Sequence, residues 1–312
     1  MDDAIEYPDA HKEQELAMKN AVLPLIALTL SVVVAGQRDP RSAGGGNCTA
    51  NPYNCFDTPN PLKTPDTVWL EDMTWMDVRD ALKAGRTTII IPTGGIEPNG
   101  PWLALGKHNY ILRVNCDAIA RQLGNALCAP IIPLVPEGTI EPKSGHMTSP
   151  GTISLREETF QAMLTDVVHS LKVHGFEHIV LIGDSGGNTR GMQAVADTWN
   201  AEWKGSPVVI HAREYYDYAA VLKYAAEIGV IMPDQKKDGL HDDPAITLNM
   251  MVADPNSVRW EQRVKAGKAT IDGVSIADKE KALAAGRKIV EMRTDVTVEA
   301  IRKTIAGKAS AK

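Results

Sequence analysis

The chain has 312 residues, of which 44% are hydrophobic and 23% charged, with a formal net charge of −6. That length suffices for one large α/β domain or two small ones with a sizeable core. The negative balance argues against a nucleic-acid partner, because phosphate binding calls for clustered Lys and Arg. Aromatic residues make up only 5%, yet six of them are Trp, which fits core packing or one or two Trp at a pocket or interface.

Residues 21–36 (AVLPLIALTLSVVVAG) carry no charge. The run is shorter than the roughly 20 residues of a membrane span and resembles the apolar region of a signal peptide. Lys19 supplies the positive flank, Met18 is a plausible start, and Val33, Ala35 and Gly36 allow cleavage near Gln37. Residues 1–17 are acidic and polar, which is unusual ahead of a signal sequence. An uncleaved anchor or a buried helix is the competing reading, and Pro24 disfavours the helix. The expectation is therefore an exported protein, periplasmic or secreted, without membrane attachment after cleavage. Residues 1–36 form an extension and signal peptide, 37–65 an irregular lead-in rich in Gly, Pro and Asn, and 66–312 the working domain. Cys48 and Cys55 lie in the lead-in and favour a disulfide in an exported chain. Asn47 opens the formal glycosylation triplet Asn-Cys-Thr.

From Asp66 the pattern becomes regular. Thr74 caps a helical stretch that Gly85 ends. Thr87–Pro92 is a β-branched run, the signature of a strand buried on both faces. Tyr110–Leu127 reads as helix, Ala129–Val135 as a second apolar strand, and Arg156–Gly175 as a long amphipathic helix. Cys116 and Cys128 flank the earlier helical stretch and read as buried thiols, since a helix of that length holds them too far apart to bridge. His178–Ile182 is a strand, Thr189–Lys204 a helix, and Pro207–Ile210 another strand. Ala284–Lys312 reads as one or two surface helices with a frayed end. This alternation predicts a three-layer α/β/α sandwich with a mostly parallel central sheet. Ligands in such sheets bind beyond the carboxyl ends of the strands.

Three loops at those ends carry candidate chemistry. The first runs from Thr93 to Asn109 and holds Glu97, Asn99, Trp102 and His108, which could converge on a metal or a polar substrate. The second, Glu137 to Leu155, is long for a loop in a compact domain and offers His146 as an acid–base group or substrate ligand. The third is Gly183-Asp184-Ser185-Gly-Gly-Asn188. Its G-x-S-x-G string at a strand–helix turn resembles a nucleophile elbow, which would need an acid and a His downstream. Asp217, Asp238 and His241 are available for that. The competing reading is a glycine-rich turn whose backbone N–H groups face a ligand.

Together these segments resemble the creatininase (creatinine amidohydrolase) family from about Val68 to Ile305. Trp69-Leu-Glu-Asp-Met-Thr-Trp75 is similar to the family's W-x-x-L-T-W opening. Gly94-Gly-Ile-Glu97-Pro-Asn99-Gly-Pro-Trp102-Leu-Ala-Leu-Gly106-Lys-His108 stands for G-S-x-E-Q-H-G-P-H-L-P-L-G-T-D. His146 to Leu155 matches H-x-x-F-P-G-T-I-S-L, Gly183 to Asn188 matches N-G-H-G-G-N, and Gly239 to Leu248 matches G-x-H-A-x-x-x-E-T-S. The resemblance implies the family's α/β fold, a small-molecule substrate and a homo-oligomer, a hexamer in many members. It also implies a two-metal amidohydrolase site, in which paired ions activate a water and polarise the scissile carbonyl.

Carried over by position, Glu97 keeps the first metal ligand. Asn99 stands for the first His, His108 for the bridging Asp, Ser185 for the second His and Ile246 for the late Glu. Isoleucine cannot ligate, Asn and Ser are weak zinc ligands, and a neutral imidazole offers one lone pair where a bridging carboxylate offers two oxygens. The standard paired-ion site is therefore not expected. A rebuilt site for one divalent ion, Zn or Mn, would use Glu97 and His108 with Asp184 or His241; the alternative is no metal. Three functions follow. The first is an exported hydrolase of a C–N or related acyl bond with catalytic Glu97, His108, His146, Ser185 and His241, and with Asn99, Trp102, Asp184 and Asn188 binding substrate. The second is a metal-free esterase, lyase or isomerase using Ser185 or an acid–base pair. The third is a non-catalytic ligand-binding relative.

Overall fold

The computed structural model describes residues 41–42, 47–205, 208–231 and 241–309. The expected signal segment and Asp238 lie outside the described residues. The described residues fall into two compact units, one ending at residue 59 and one beginning at residue 60. In the first, a disulfide joins Cys48 to Cys55, and Asn51 caps the short turn Pro52–Asn54 by accepting the Tyr53 N–H.

The second unit is built on a four-stranded parallel sheet, β1 (Thr88–Thr93), β2 (Ala126–Cys128), β3 (His178–Gly183) and β4 (Val208–His211), in the order β2-β1-β3-β4. All six residues of β1 are buried, as its run of Ile requires of a central strand. One face of the sheet (Ile89, Ile91, Ile179, Leu181, Val209) packs on α1 (Trp75–Lys83), α3 (Glu157–Val173) and α4 (Asn188–Trp203). The other face (Ile90, Val180, Ile182, Ile210) packs on α2 (Lys107–Leu123) and α8 (Lys279–Ala309). A third cluster closes α2 and α8 against α5 (Tyr218–Glu227), α6 (Pro244–Ala253) and α7 (Trp260–Lys265). A short hairpin, β5 (Thr270–Ile271) and β6 (Val274–Ser275), precedes α8. Among the described residues no helix is long and apolar enough to cross a membrane.

Three expectations need correction. The second strand is Ala126–Cys128, and Ala129–Val135 is a loop held by single bridges, Thr93 to Ile132 and Val135 to Ser154. Pro130 and Pro133 remove the N–H donors a longer ladder would need. Cys116 and Cys128 form a disulfide with Cα atoms 6.3 Å apart. The helix stops at Leu123, because Gly124 takes the left-handed conformation (φ 82°) and returns the chain along α2 as β2. The helical span that would have separated the sulfurs does not exist. Finally, the C-terminal segment is one 31-residue helix, and Ile289, Thr297, Val298 and Ile301 are buried in the core.

Strand β1 leads through α2 to β2 on one side, whereas β3 leads through α4 to β4 on the other. The connections therefore diverge between β1 and β3, which is the switch point where open parallel sheets bind ligands.

Candidate active site

A cavity of about 560 Å³ opens at that switch point, walled by all three loops and by α5, α6 and α8. At its centre is Glu97, only 2% exposed. Its Oε1 accepts a hydrogen bond from Lys107 Nζ at 2.6 Å and lies 3.1 Å from His108 Nε2 and 3.7 Å from His241 Nε2. Its Oε2 stands 2.5 Å from His146 Nδ1. His108 Nδ1 in turn meets Asp184 Oδ2 at 2.8 Å. Asp184 Oδ1 accepts from Arg293 Nη2 at 2.6 Å and from the Tyr215 hydroxyl at 3.2 Å. The result is a continuous buried chain from Arg293 through Asp184 and His108 to Glu97 and Lys107.

The local fold explains these positions. Gly106 is the N-cap of α2, so Lys107 and His108 are its first two residues, where the helix dipole favours anions. Placing basic groups there has a cost, which Glu97 offsets. Asp184 and Ser185 follow β3 in the turn before α4, whose N-cap is Gly187. A Cβ at Gly187 would stand 2.3 Å from the Pro136 carbonyl oxygen, so this approach of the third loop to the second requires glycine.

Glu137, at the start of the second loop, is the main site residue that the sequence reading passed over. It is 6% exposed and lines the cavity with its Oε2 3.5 Å from His146 Nδ1. Burial and the neighbouring Glu97 charge push its carboxyl up to about 9, so it holds a proton at neutral pH. Burial alone would also raise Glu97, but the close His108 ring and the Lys107 ammonium outweigh it and hold Glu97 far below the carboxylate range. Burial likewise works against ionised Asp184, and Arg293 and His108 overcome it. Burial and the Lys107 ammonium hold His241 down to about 4, so this ring is neutral. His108 Nε2 and His146 Nδ1 lie against the Glu97 carboxylate without hydrogen-bonding geometry, and Glu137 Oε1, on another cavity-lining residue, also has no hydrogen-bond partner. Glu137 Oε1 is an atom a substrate or water would satisfy.

The structure thus brings Glu97, His108, His146, Asp184, Ser185 and His241 together. Asn99, Trp102 and Asn188 lie outside the cavity lining. Asn99 Nδ2 donates to the Glu97 and Ala104 carbonyls and shapes the first loop. Trp102 packs in the third cluster with Arg263 over its ring. Asn188 Nδ2 donates to Thr93 and Gly94, tying α4 to β1. Ser185 and Glu137 both line the cavity. Of the acids considered for a nucleophile elbow, Asp217 is spent capping α5 through the Ala220 N–H.

A family model described as creatininase, creatinine amidohydrolase, matches residues 71–301. The chain belongs to the creatininase family. Among curated relatives, creatinine amidohydrolase of Pseudomonas putida is 24% identical over 118 residues, 37% of this chain and 44% of that protein. The 3-dehydro-scyllo-inosose hydrolase of Thermotoga maritima is 26% identical over 125 residues, 40% of this chain and 38% of that protein. The chain thus matches less than half the length of either relative. A crystal structure of creatinine amidohydrolase (creatininase) aligns with a TM-score of 0.55 at 19% identity, covering 78% of this chain and 98% of that one. This shows a shared fold.

The paired-ion arrangement implied by the creatininase resemblance does not fit the residues present. Asn99 lies outside the cavity lining, tied to the first loop through Nδ2, and Ile246 lines the cavity without a ligating atom. Two trios, Glu97–His146–His241 and Glu97–His108–Glu137, do bring ligand atoms within 4.8 Å of one another. Both depend on Glu97, whose Oε1 already carries the Lys107 ammonium.

Proposed function

We propose that this creatininase-family chain is an exported hydrolase that cleaves a C–N amide or lactam bond, or a related acyl bond, in a small polar molecule. The observation that carries the reading is the pair of neighbouring carboxyls, Glu97 and Glu137, driven in opposite directions around one imidazole. Two titratable groups pushed apart by their surroundings are the usual mark of an acid–base assignment. The curated relatives are named for creatinine, a cyclic amide, and for an inosose, which agrees with a small ring-shaped substrate.

In this reading ionised Glu97, whose Oε2 lies 2.5 Å from His146 Nδ1, attracts that edge of the ring by charge, leaving Nε2 to take the proton of a water as its oxygen adds to the acyl carbon. The carbonyl oxygen gains the negative charge. When it re-forms the carbonyl, the C–N bond breaks and the Glu137 proton passes to the departing nitrogen. The proton on His146 returns to Glu137 as product leaves, which restores both groups. Asp184 and Arg293 hold the His108 ring against Glu97 from behind.

The test is a panel of small cyclic amides and lactones against the wild type, His146→Ala and Glu137→Gln. Each substitution is expected to lower kcat/KM by about a hundredfold or more. Full activity in either variant would refute the assignment. Ligand-induced thermal stabilisation with no turnover anywhere in the panel would favour a binding protein instead.

Export is supported by the apolar run at 21–36 and by the bonding of all four cysteines, Cys48 to Cys55 and Cys116 to Cys128. Structural disulfides are characteristic of oxidising compartments.

A further inference from the structure

We infer that Lys107 replaces the metal ion: its ammonium, fixed on Glu97 in the cavity, is the cation of the site and takes over the task of drawing a substrate oxygen. The inference deepens the hydrolase reading, but its test does not depend on turnover.

Four observations carry it. Lys107 is 2% exposed and lines the cavity, so its charge is held inside the site and cannot snorkel to bulk water. Its Nζ lies 2.6 Å from an oxygen of Glu97, the residue common to the metal-capable trios. An ammonium has three donors, and among the described residues this one has a single hydrogen-bond partner, Glu97. The remaining donors suit a carbonyl or anionic oxygen. Lastly, the helix dipole at the start of α2 opposes a cation there, so helix stability does not explain the residue.

The changes around Lys107 form a consistent set. Two divalent ions need acidic ligands to balance them. At the positions matching the family's bridging Asp and late Glu stand His108 and Ile246, which subtracts two negative charges. One ammonium, in direct contact with the carboxylate, then suffices to balance Glu97. Removing the ammonium should leave Glu97, His146 and His241 as an unblocked carboxylate–imidazole trio, the donor set zinc prefers.

The experiment compares the full-length wild type with Lys107→Met and Lys107→Gln, by elemental analysis after dialysis against Zn(II) or Mn(II) and by melting temperature with metal and with EDTA. The wild type should bind far less than one equivalent and melt at the same temperature in both conditions. A folded Lys107 variant should take up one equivalent of zinc, gain melting temperature, and lose both effects when His146→Ala is added. A stoichiometric ion in the wild type, with EDTA lowering its melting temperature, would overturn the proposal. So would folded variants that ignore zinc. If neither variant folds, the wild-type metal content and EDTA response decide alone. Absence of hydrolase turnover would leave these results standing, so the two failures are distinguishable.

Discussion

Glu97 shows how one side chain can set the chemistry of a pocket. It is buried, ionised and contacted by Lys107, His108 and His146. An ion pair in this setting is costly to break from one side, because the partner is left charged without compensation. Glu97→Gln should therefore destabilise the fold by roughly 3–5 kcal/mol in denaturant titrations, whereas a loss below about 1 kcal/mol, the range of exposed pairs, would show that Lys107 finds water. Glu97, His108, His146, Asp184 and Ser185 were legible as candidates because they fall in three Gly- and Pro-rich segments that follow apolar runs, and His241 because it falls in a segment matching the family's G-x-H-A motif. The sequence did not mark Lys107 or Glu137. An ammonium next to a helix start and a carboxyl at a loop entrance look like ordinary surface charges until burial is known.

At the level of elements, α2 links the core to the site. Its first turn presents Lys107 and His108 to the cavity, and its third turn anchors to β2 through the Cys116–Cys128 bond. Replacing both cysteines with Ala should lower stability by about 2–4 kcal/mol, read as a lower denaturation midpoint for the double variant than for the oxidised wild type. An unchanged midpoint would mean that packing alone seats the helix. The strand–helix alternation was readable because buried parallel strands leave long β-branched runs, as in β1 and β3. What misled was punctuation. Gly124 ends α2 earlier than the apolar pattern suggests, and the prolines after β2 break an apolar segment of which only Ala129, Ile132 and Val135 are buried and which is not a strand. The C-terminal helix looked superficial because its apolar positions are widely spaced, yet Arg293 on it reaches Asp184. No local pattern announces a contact between residues 109 positions apart.

At the level of the whole molecule, the site lies where parallel-sheet topology puts it, between β1 and β3, and the family match extends over residues 71–301. Export makes its own prediction: mass spectrometry of protein secreted from its full gene should find a mature N-terminus near Gln37, and retention of residues 21–36 would contradict it. The central claim is that the folded pocket keeps Glu137 protonated beside an ionised Glu97. In the unfolded chain Glu137 would titrate at its ordinary value near 4.5, against about 9 in the fold. Between those values the native state holds a proton that the unfolded state has released, so this group's contribution to stability falls as pH rises. Glu97, shifted the other way, adds stability that is lost only as pH falls below its ordinary range. The most direct measurement is the unfolding free energy from pH 5 to pH 9 for the wild type and Glu137→Gln. The wild type should lose stability across that window relative to the variant, which cannot ionise there. Parallel curves would mean that Glu137 is already charged at neutral pH, and the acid–base division of the site would fall with it.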